Sequence, residues 1–314
     1  MTKDNFQIIK RKIRLDNLEE YNSKKIKKSE QILKETISNT LVNDFAFLIK
    51  LNKISLNKGI TIEEAYNNYT GEIPTIDCIG LSKILKEKLN KIGINTYFIT
   101  CKAKGFSTKY GDSLIKEAHT FLIYPCQKKK KTLFIIYDSG FRIKKPLIFY
   151  DKDSSKEYKY LTGKVKINYE NNSYSIKANV RMKRDFSIIK DNVNWYFNPY
   201  EETTNIDYFT KNIYKVKFSY KIMYYNNIPI KRFGLGLNIV TKKLDLYSYN
   251  YHEEYYLDEF LKLSKEELFQ KLSFLKTDNK FTEKDIEDLL QVLKIYAYED
   301  KIPILNYKIV QEFK

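Results

Sequence analysis

Three residue types able to share one proton relay occur in the order Cys78, His119 and Asp138. Their settings are Thr75-Ile76-Asp77-Cys78-Ile79-Gly80-Leu81, Glu117-Ala118-His119-Thr120-Phe121-Leu122-Ile123 and Phe134-Ile135-Ile136-Tyr137-Asp138-Ser139-Gly140-Phe141. Histidine is scarce in this chain, which holds only His119 and His252. A thiol attacks acyl carbon as the thiolate, and a free cysteine titrates near pH ~8.5, so a nucleophilic cysteine needs surroundings that favour S⁻. Two such devices are legible. Cys78 stands where a helix begins, and the unpaired N–H groups and positive dipole end of a helix start favour an anion. His119 can form the imidazolium partner of a thiolate, while Asp138 can accept the other ring N–H and hold the imidazole in orientation. The backbone N–H of Cys78 and that of a neighbour would supply oxyanion donors. Each residue taken singly has a plainer reading as a small core residue, a satisfied strand histidine or a turn-starting aspartate. Their joint order and the elements that carry them single them out as a site.

Those elements follow from hydrophobic spacing. After Cys78, the residues Leu81, Ile84, Leu85, Leu89 and Ile92 recur at helical intervals and Gly93 closes the run, so a helix opens at the cysteine. Residues 94–103 are β-branched and aromatic and predict a strand, and 105–112 read as a loop. Apolar runs at 118–125 and 133–138 flank the charged stretch 126–132, which contains Lys128-Lys129-Lys130-Lys131. This predicts a hairpin with a solvated turn. His119 is early in the first strand and Asp138 late in the second, so antiparallel pairing should set them side by side.

The rest of the chain frames this centre. Residues 18–42 carry Ile26, Leu33, Ile37 and Leu41 on one helical face among basic residues. Such a helix can lie on a membrane, but packing against its own domain is the preferred reading. Capping boxes are expected at Thr61-Ile62-Glu63-Glu64, Ser264-Lys265-Glu266-Glu267 and Thr282-Glu283-Lys284-Asp285. Segments 164–169 and 174–180 alternate around a turn at 170–173, which predicts a small antiparallel sheet or barrel. Segments 215–225 and 235–247 are β-like, and helix resumes at Leu257. The expected division is therefore 1–95, a helical region carrying the nucleophile; 96–200, a β-rich region carrying His119 and Asp138; and 201–314, a C-terminal α/β region.

Composition bounds the function. With 314 residues and 43% hydrophobic content the chain can bury a real core. No apolar run approaches the ~18 residues that span a bilayer. The N-terminal sequence lacks a secretory hydrophobic core, so the expected location is cytoplasmic. Three cysteines make no disulfide framework, and no Cys/His pair has metal-ligand spacing, so no metal is expected. His252, amid Tyr249, Tyr251, Tyr255 and Tyr256, reads as a surface or packing residue. The net charge of +17 invites a nucleic-acid reading, but only 6 of the 56 basic residues are arginine. Lysine is a diffuse point charge, whereas arginine reads bases and phosphates with fixed geometry. The lysines are thus read as a solvated surface, and a basic nucleic-acid-binding protein is the non-enzymatic alternative.

Taken in order, these residues resemble the arylamine N-acetyltransferases, a family within the transglutaminase-like, papain-related cysteine enzymes. Its members carry a cysteine opening a helix, a histidine on a strand, and an aspartate followed by glycine and phenylalanine. Asp138-Ser139-Gly140-Phe141 is similar to the family's Asp-Val-Gly-Phe segment, whose phenylalanine lines the acceptor pocket. The resemblance implies catalytic roles for Cys78, His119 and Asp138, and a substrate pocket that includes Gly140 and Phe141. It implies an α+β, papain-like fold with an N-terminal helical region, a central antiparallel β region and a C-terminal α/β lid. It further implies acetyl-CoA or another acyl-CoA as co-substrate, and a small-molecule or protein amine as acceptor; no residue is singled out for holding CoA. Two departures stand out. Pro74-Thr75-Ile76-Asp77 occupies the place of the family's Arg-Gly-Gly, and Arg142 stands where a second glycine often follows Gly-Phe. Asp77-Cys78-Ile79-Gly80 is also similar to the Asp-Cys-Ser-Gly stretch of cell-wall peptidases. A transglutaminase-like or peptidase enzyme acting on protein amides is accordingly the nearest rival.

Overall fold

The structure is a computed structural model that describes residues 8–39, 42–72, 78–104, 119–140, 143–160, 163–178, 181–182, 188–189, 193–214, 219–225, 232–248, 251–279 and 281–299. The chain forms two compact units, Met1–Asn39 with Cys78–Phe209, and Thr40–Asp77 with Thr210–Lys314. The chain leaves the first unit after one helix and re-enters it at Cys78. The three consecutive regions expected from sequence run across this interleaving, because periodicity marks elements without saying which of them share a core.

The first unit is built on an eight-stranded sheet. Its order is Leu147–Tyr150, Lys131–Tyr137, His119–Lys128, Tyr97–Lys104, Val193–Phe197, Ser173–Ala178, Gly163–Glu170 and Tyr158–Tyr160. Every neighbouring pair is antiparallel. Alternation along the strands separates two faces. One carries Ile99, Cys101, Phe121, Ile123, Phe134, Ile136, Trp195 and Phe197 into an apolar cluster. The other carries Leu122, Tyr124, Leu133, Ile135 and Tyr137 against Leu85 and Leu89 of the helix Cys78–Asn90 and Ile26, Leu33 and Ile37 of the helix Ser23–Asn39. Each such side chain, once buried, contributes about 1.5–3 kcal/mol. The Ser23–Asn39 helix is shorter than the predicted 18–42 because Asn22 caps it, its Oδ1 accepting from Lys25 N at 3.0 Å. Its apolar stripe is spent on its own unit, and Ser29 Oγ meets Tyr137 OH at 2.8 Å beneath it. The expected Leu41 lies outside the described residues.

Two turns differ from expectation in instructive ways. The lysine-rich turn is tighter than 126–132: strands run to Lys128 and from Lys131, leaving Lys129 (φ 53°) and Lys130 (φ 63°) as a two-residue loop. Positive φ at both central residues is the turn geometry that matches strand twist, although Asn or Gly usually supplies it. Asn171 (φ 50°) and Asn172 (φ 57°) fill the equivalent loop between Gly163–Glu170 and Ser173–Ala178. Those last two strands do not form a separate small sheet. Val193–Phe197 pairs on one side with Ser173–Ala178 and on the other with Tyr97–Lys104, joining them to the strand system of His119. Local alternation predicts a strand but not its neighbour. The predicted loop 105–112 lies outside the described residues.

The second unit has a five-stranded antiparallel sheet ordered Tyr251–Tyr256, Lys243–Ser248, Arg232–Asn238, Ser219–Tyr225 and Val42–Asn43. The predicted single β-like stretch 235–247 is in fact two strands of a hairpin. Phe45, Phe47, Leu51, Tyr220, Leu235, Leu246, Phe260 and Leu289 meet in its core. All three predicted capping boxes are present, at Thr61/Glu64, Ser264/Glu267 and Thr282/Asp285. Among the described residues no helix is long and apolar enough to cross a membrane.

Candidate active site

His119 opens the strand His119–Lys128, and Asp138 follows the last residue of Lys131–Tyr137. The ladder pairs Leu122 with Tyr137. Continued to the first residue of the strand, that register sets Asp138 across from Phe121 and Gly140 across from His119. His119 and Asp138 are therefore diagonal neighbours on one sheet face, a separation long side chains bridge. His119 Nε2 lies 2.9 Å from Asp138 Oδ2. Both residues are buried, His119 at 5% and Asp138 at 1% exposure.

Cys78 is the first residue of the helix Cys78–Asn90 and is half-buried. Its carbonyl accepts from Ser82 Oγ at 2.7 Å, which ties down the first turn. Its side chain is hydrogen-bonded to the His119 ring. With Nε2 engaged by Asp138, the nitrogen left for sulfur is Nδ1. Gly140 explains how closely these parts approach. A Cβ placed on it would stand 2.6 Å from His119 Cε1 and 2.7 Å from Cys78 Cβ. Real Cβ atoms do not tolerate such distances, so only glycine lets the Asp138–Gly140 turn pass against the helix start and the imidazole together.

The electrostatics are those of a buried, coupled group. Burial alone lowers an imidazole pKa. Here the charge and hydrogen bond of Asp138, with the Cys78 thiol adding to them, outweigh burial and raise His119 to about 10. The ring is thus a cation at neutral pH, the state that can sit beside a thiolate. The assembly can do nucleophilic chemistry: a thiol at a helix start, an imidazolium to exchange protons with it, and a carboxylate to orient the ring.

All three residues expected to act together are in one place. Gly140 belongs to the same cluster, filling the space between Cys78 and His119; Phe141 and Arg142 lie outside the described residues. Two residues were missed. Trp195 lies with its ring centroid 5.3 Å from that of His119, and Cys101 places its Sγ 3.4 Å from the His119 carbonyl oxygen. The available signal for the first was its being the chain's one tryptophan, within a strand-like stretch. The other groups lie apart. Cys126 is buried on the helix-covered face, where burial pushes its thiol up to about 12. His252 pairs at 3.3 Å with Asp245 on the exposed surface of the second unit. Among the described residues no cluster of His, Cys, Asp and Glu is placed to hold a metal ion.

No protein-family model matches the chain, and no curated protein matches it by sequence. Solved structures do. An arylamine N-acetyltransferase of M. smegmatis superposes with a TM-score of 0.52 at 12% identity, covering 92% of this chain and 97% of its own. A cysteine-to-glutamine variant of a Mycobacterium smegmatis enzyme gives 0.51 at 12% identity, with 87% and 91% covered. The Mycobacterium abscessus arylamine N-acetyltransferase gives 0.52 at 11% identity, with 86% and 88% covered. The chain has the arylamine N-acetyltransferase fold, as the order of its cysteine, histidine and aspartate led us to expect.

Proposed function

We propose that this protein is a cysteine-dependent acyltransferase that carries an acyl group on Cys78 between a CoA thioester and an amine. The single observation that carries the reading is the linked set Asp138–His119–Cys78, one ring nitrogen held at 2.9 Å by a buried carboxylate and the same ring interacting with a thiol. The fold supports the same chemistry, since its solved neighbours are described as arylamine N-acetyltransferases. Acetyl-CoA and an arylamine are consequently the first donor and acceptor to try, with other acyl chains and protein amines after them.

The reading implies the following steps. The Cys78 thiolate attacks the thioester carbonyl, forming a carbon–sulfur bond. Negative charge gathers on the carbonyl oxygen, where the Cys78 N–H at the helix start is a candidate donor. Collapse breaks the bond to the CoA sulfur, which leaves as a thiol with the proton from His119. An amine then attacks the acyl-Cys78 carbonyl and gives a proton to the now neutral His119. Cys78 departs as the thiolate, and the imidazolium is restored beside it. Asp138 holds the ring in place. No metal is needed at any step, and the cytoplasm, where thiols stay reduced, suits the nucleophile.

Mass spectrometry of the intact protein incubated with acetyl-CoA tests the proposal. An adduct of about 42 Da that maps to Cys78, is lost in Cys78→Ser and is discharged by an added amine is the expected result. No adduct, with cleavage of peptide amides instead, would favour the transglutaminase-like or peptidase alternative.

A further inference from the structure

The strand Val193–Phe197 lies two places from the His119 strand, with Tyr97–Lys104 between them. Neighbouring strands stand about 4.8 Å apart, so side chains two strands away ordinarily do not meet without leaning. Yet the Trp195 and His119 ring centroids are 5.3 Å apart, with planes tilted by 59°. The strand between them brings a small side chain next to His119. Cys101 is His119's partner in the ladder and shares its face. It is small and fully buried, and its Sγ turns to the His119 carbonyl oxygen. Trp195 pairs with Ala103, two residues along that strand from Cys101. Phe121 flanks the imidazole at 6.2 Å, Asp138 holds Nε2, and Gly140 packs at Cε1.

We propose that Trp195 is a positioning residue for the Cys78–His119 pair, its indole stabilising the imidazolium and keeping water from the His119–Asp138 hydrogen bond. The inference rests on the reading of Cys78 as a nucleophile activated by His119. Its ground is electrostatic and steric at once. A cation within about 6 Å of an aromatic centroid is attracted by the ring quadrupole, most strongly for indole and most of all where water is excluded. Trp195 is itself buried, at 6% exposure. Among the described residues, the titratable groups placed against His119 are Asp138, following the partner strand, and the thiols of Cys78 on the helix and Cys101 on the neighbouring strand. The carboxylate draws the ring through Nε2, and the indole beside it would limit how far the ring can tip.

The test needs no substrate. The rate of Cys78 alkylation by iodoacetamide is measured from pH 5 to 10 in the full chain, in Trp195→Leu and in Trp195→Phe, with Cys78→Ser as the blank and circular dichroism to confirm folding. Leu is expected to slow alkylation at pH 7 by roughly tenfold and to change its pH profile, while Phe keeps most of the rate. As Trp195 is the only tryptophan, its emission should also change as the neighbouring imidazolium titrates, and that change should vanish in His119→Gln. A folded Leu variant with the wild-type rate and profile overturns the role of Trp195 while leaving Cys78 as the nucleophile. Wild-type Cys78 reacting no faster than free cysteine overturns both readings. Should the Leu variant not fold, the emission decides: a response to pH that persists in His119→Gln overturns the proposal.

Discussion

The chain sets each of its two histidines against an aspartate on an antiparallel sheet, and the two pairs differ in nearly everything but residue type. His119 and Asp138 lie 2.9 Å apart with side chains 5% and 0% exposed. His252 and Asp245 lie 3.3 Å apart with side chains 47% and 18% exposed. Two unit charges 4 Å apart gain about 1 kcal/mol in water and about 4 kcal/mol where the effective dielectric is near 20. The first pair sits beside a thiol and an indole; the second joins two side chains open to solvent on adjacent strands of the second sheet. A His–Asp contact is therefore an ordinary surface feature in one place and part of a buried cluster with a cysteine in the other. Burial and a third partner make the difference.

The widest gap between the pairs should appear on removing the carboxylate. Asp138→Asn leaves the ring with an acceptor of the wrong kind and should lower Cys78-dependent acyl transfer by about 10³–10⁴-fold. Asp245→Asn should leave the same rate within about twofold, since it acts only on an exposed pair. Equal effects of the two substitutions on single-turnover rates would erase the distinction. Next comes Gly140→Ala. Its methyl group must displace either the imidazole or the helix start, so a loss of about 1–3 kcal/mol in stability is expected. A misplaced ring should cost on the order of 10²-fold in acylation as well. Urea denaturation and the acyl-adduct assay read the two effects separately.

The pH dependence of stability is a subtler contrast. The folded pKa of His119, about 10, exceeds its ordinary value of 6.5. Its contribution is therefore complete below pH 6.5 and is lost as pH rises through about 10. Across that window the wild type should lose on the order of a few kcal/mol more than His119→Gln does. Parallel stability curves for the two proteins would show that the ring is not held as a cation. The smallest effect belongs to His252→Ala, expected to change stability by less than about 1 kcal/mol at any pH, as for other exposed ion pairs.

Much of the candidate site was legible because its parts are announced locally. The helical spacing from Leu81 to Leu89 placed a helix start at Cys78, and the two apolar runs around the lysine turn put His119 and Asp138 on paired strands. The capping boxes at Thr61, Ser264 and Thr282 formed as read, since each needs only two side chains three residues apart. Trp195 was not legible as a neighbour of His119. Its approach requires the order Val193–Phe197, Tyr97–Lys104, His119–Lys128, which no local pattern encodes. The role of Gly140 was hidden for a similar reason: the sequence places a glycine in a turn, but the atoms that would meet its Cβ come from a helix start and a strand far away in the chain.

By itself the amino-acid sequence determined the chemistry on offer, one thiol, one imidazole and one carboxylate on elements suited to them. Periodicity, capping and turn geometry act over a few residues and can be read one after another. Tertiary structure decided which of two histidines is buried, which aromatic ring leans on it and how closely sulfur and imidazole approach. Those outcomes depend on strand order and on space shared by segments far apart in sequence, and close packing settles them only when all of the segments are present together.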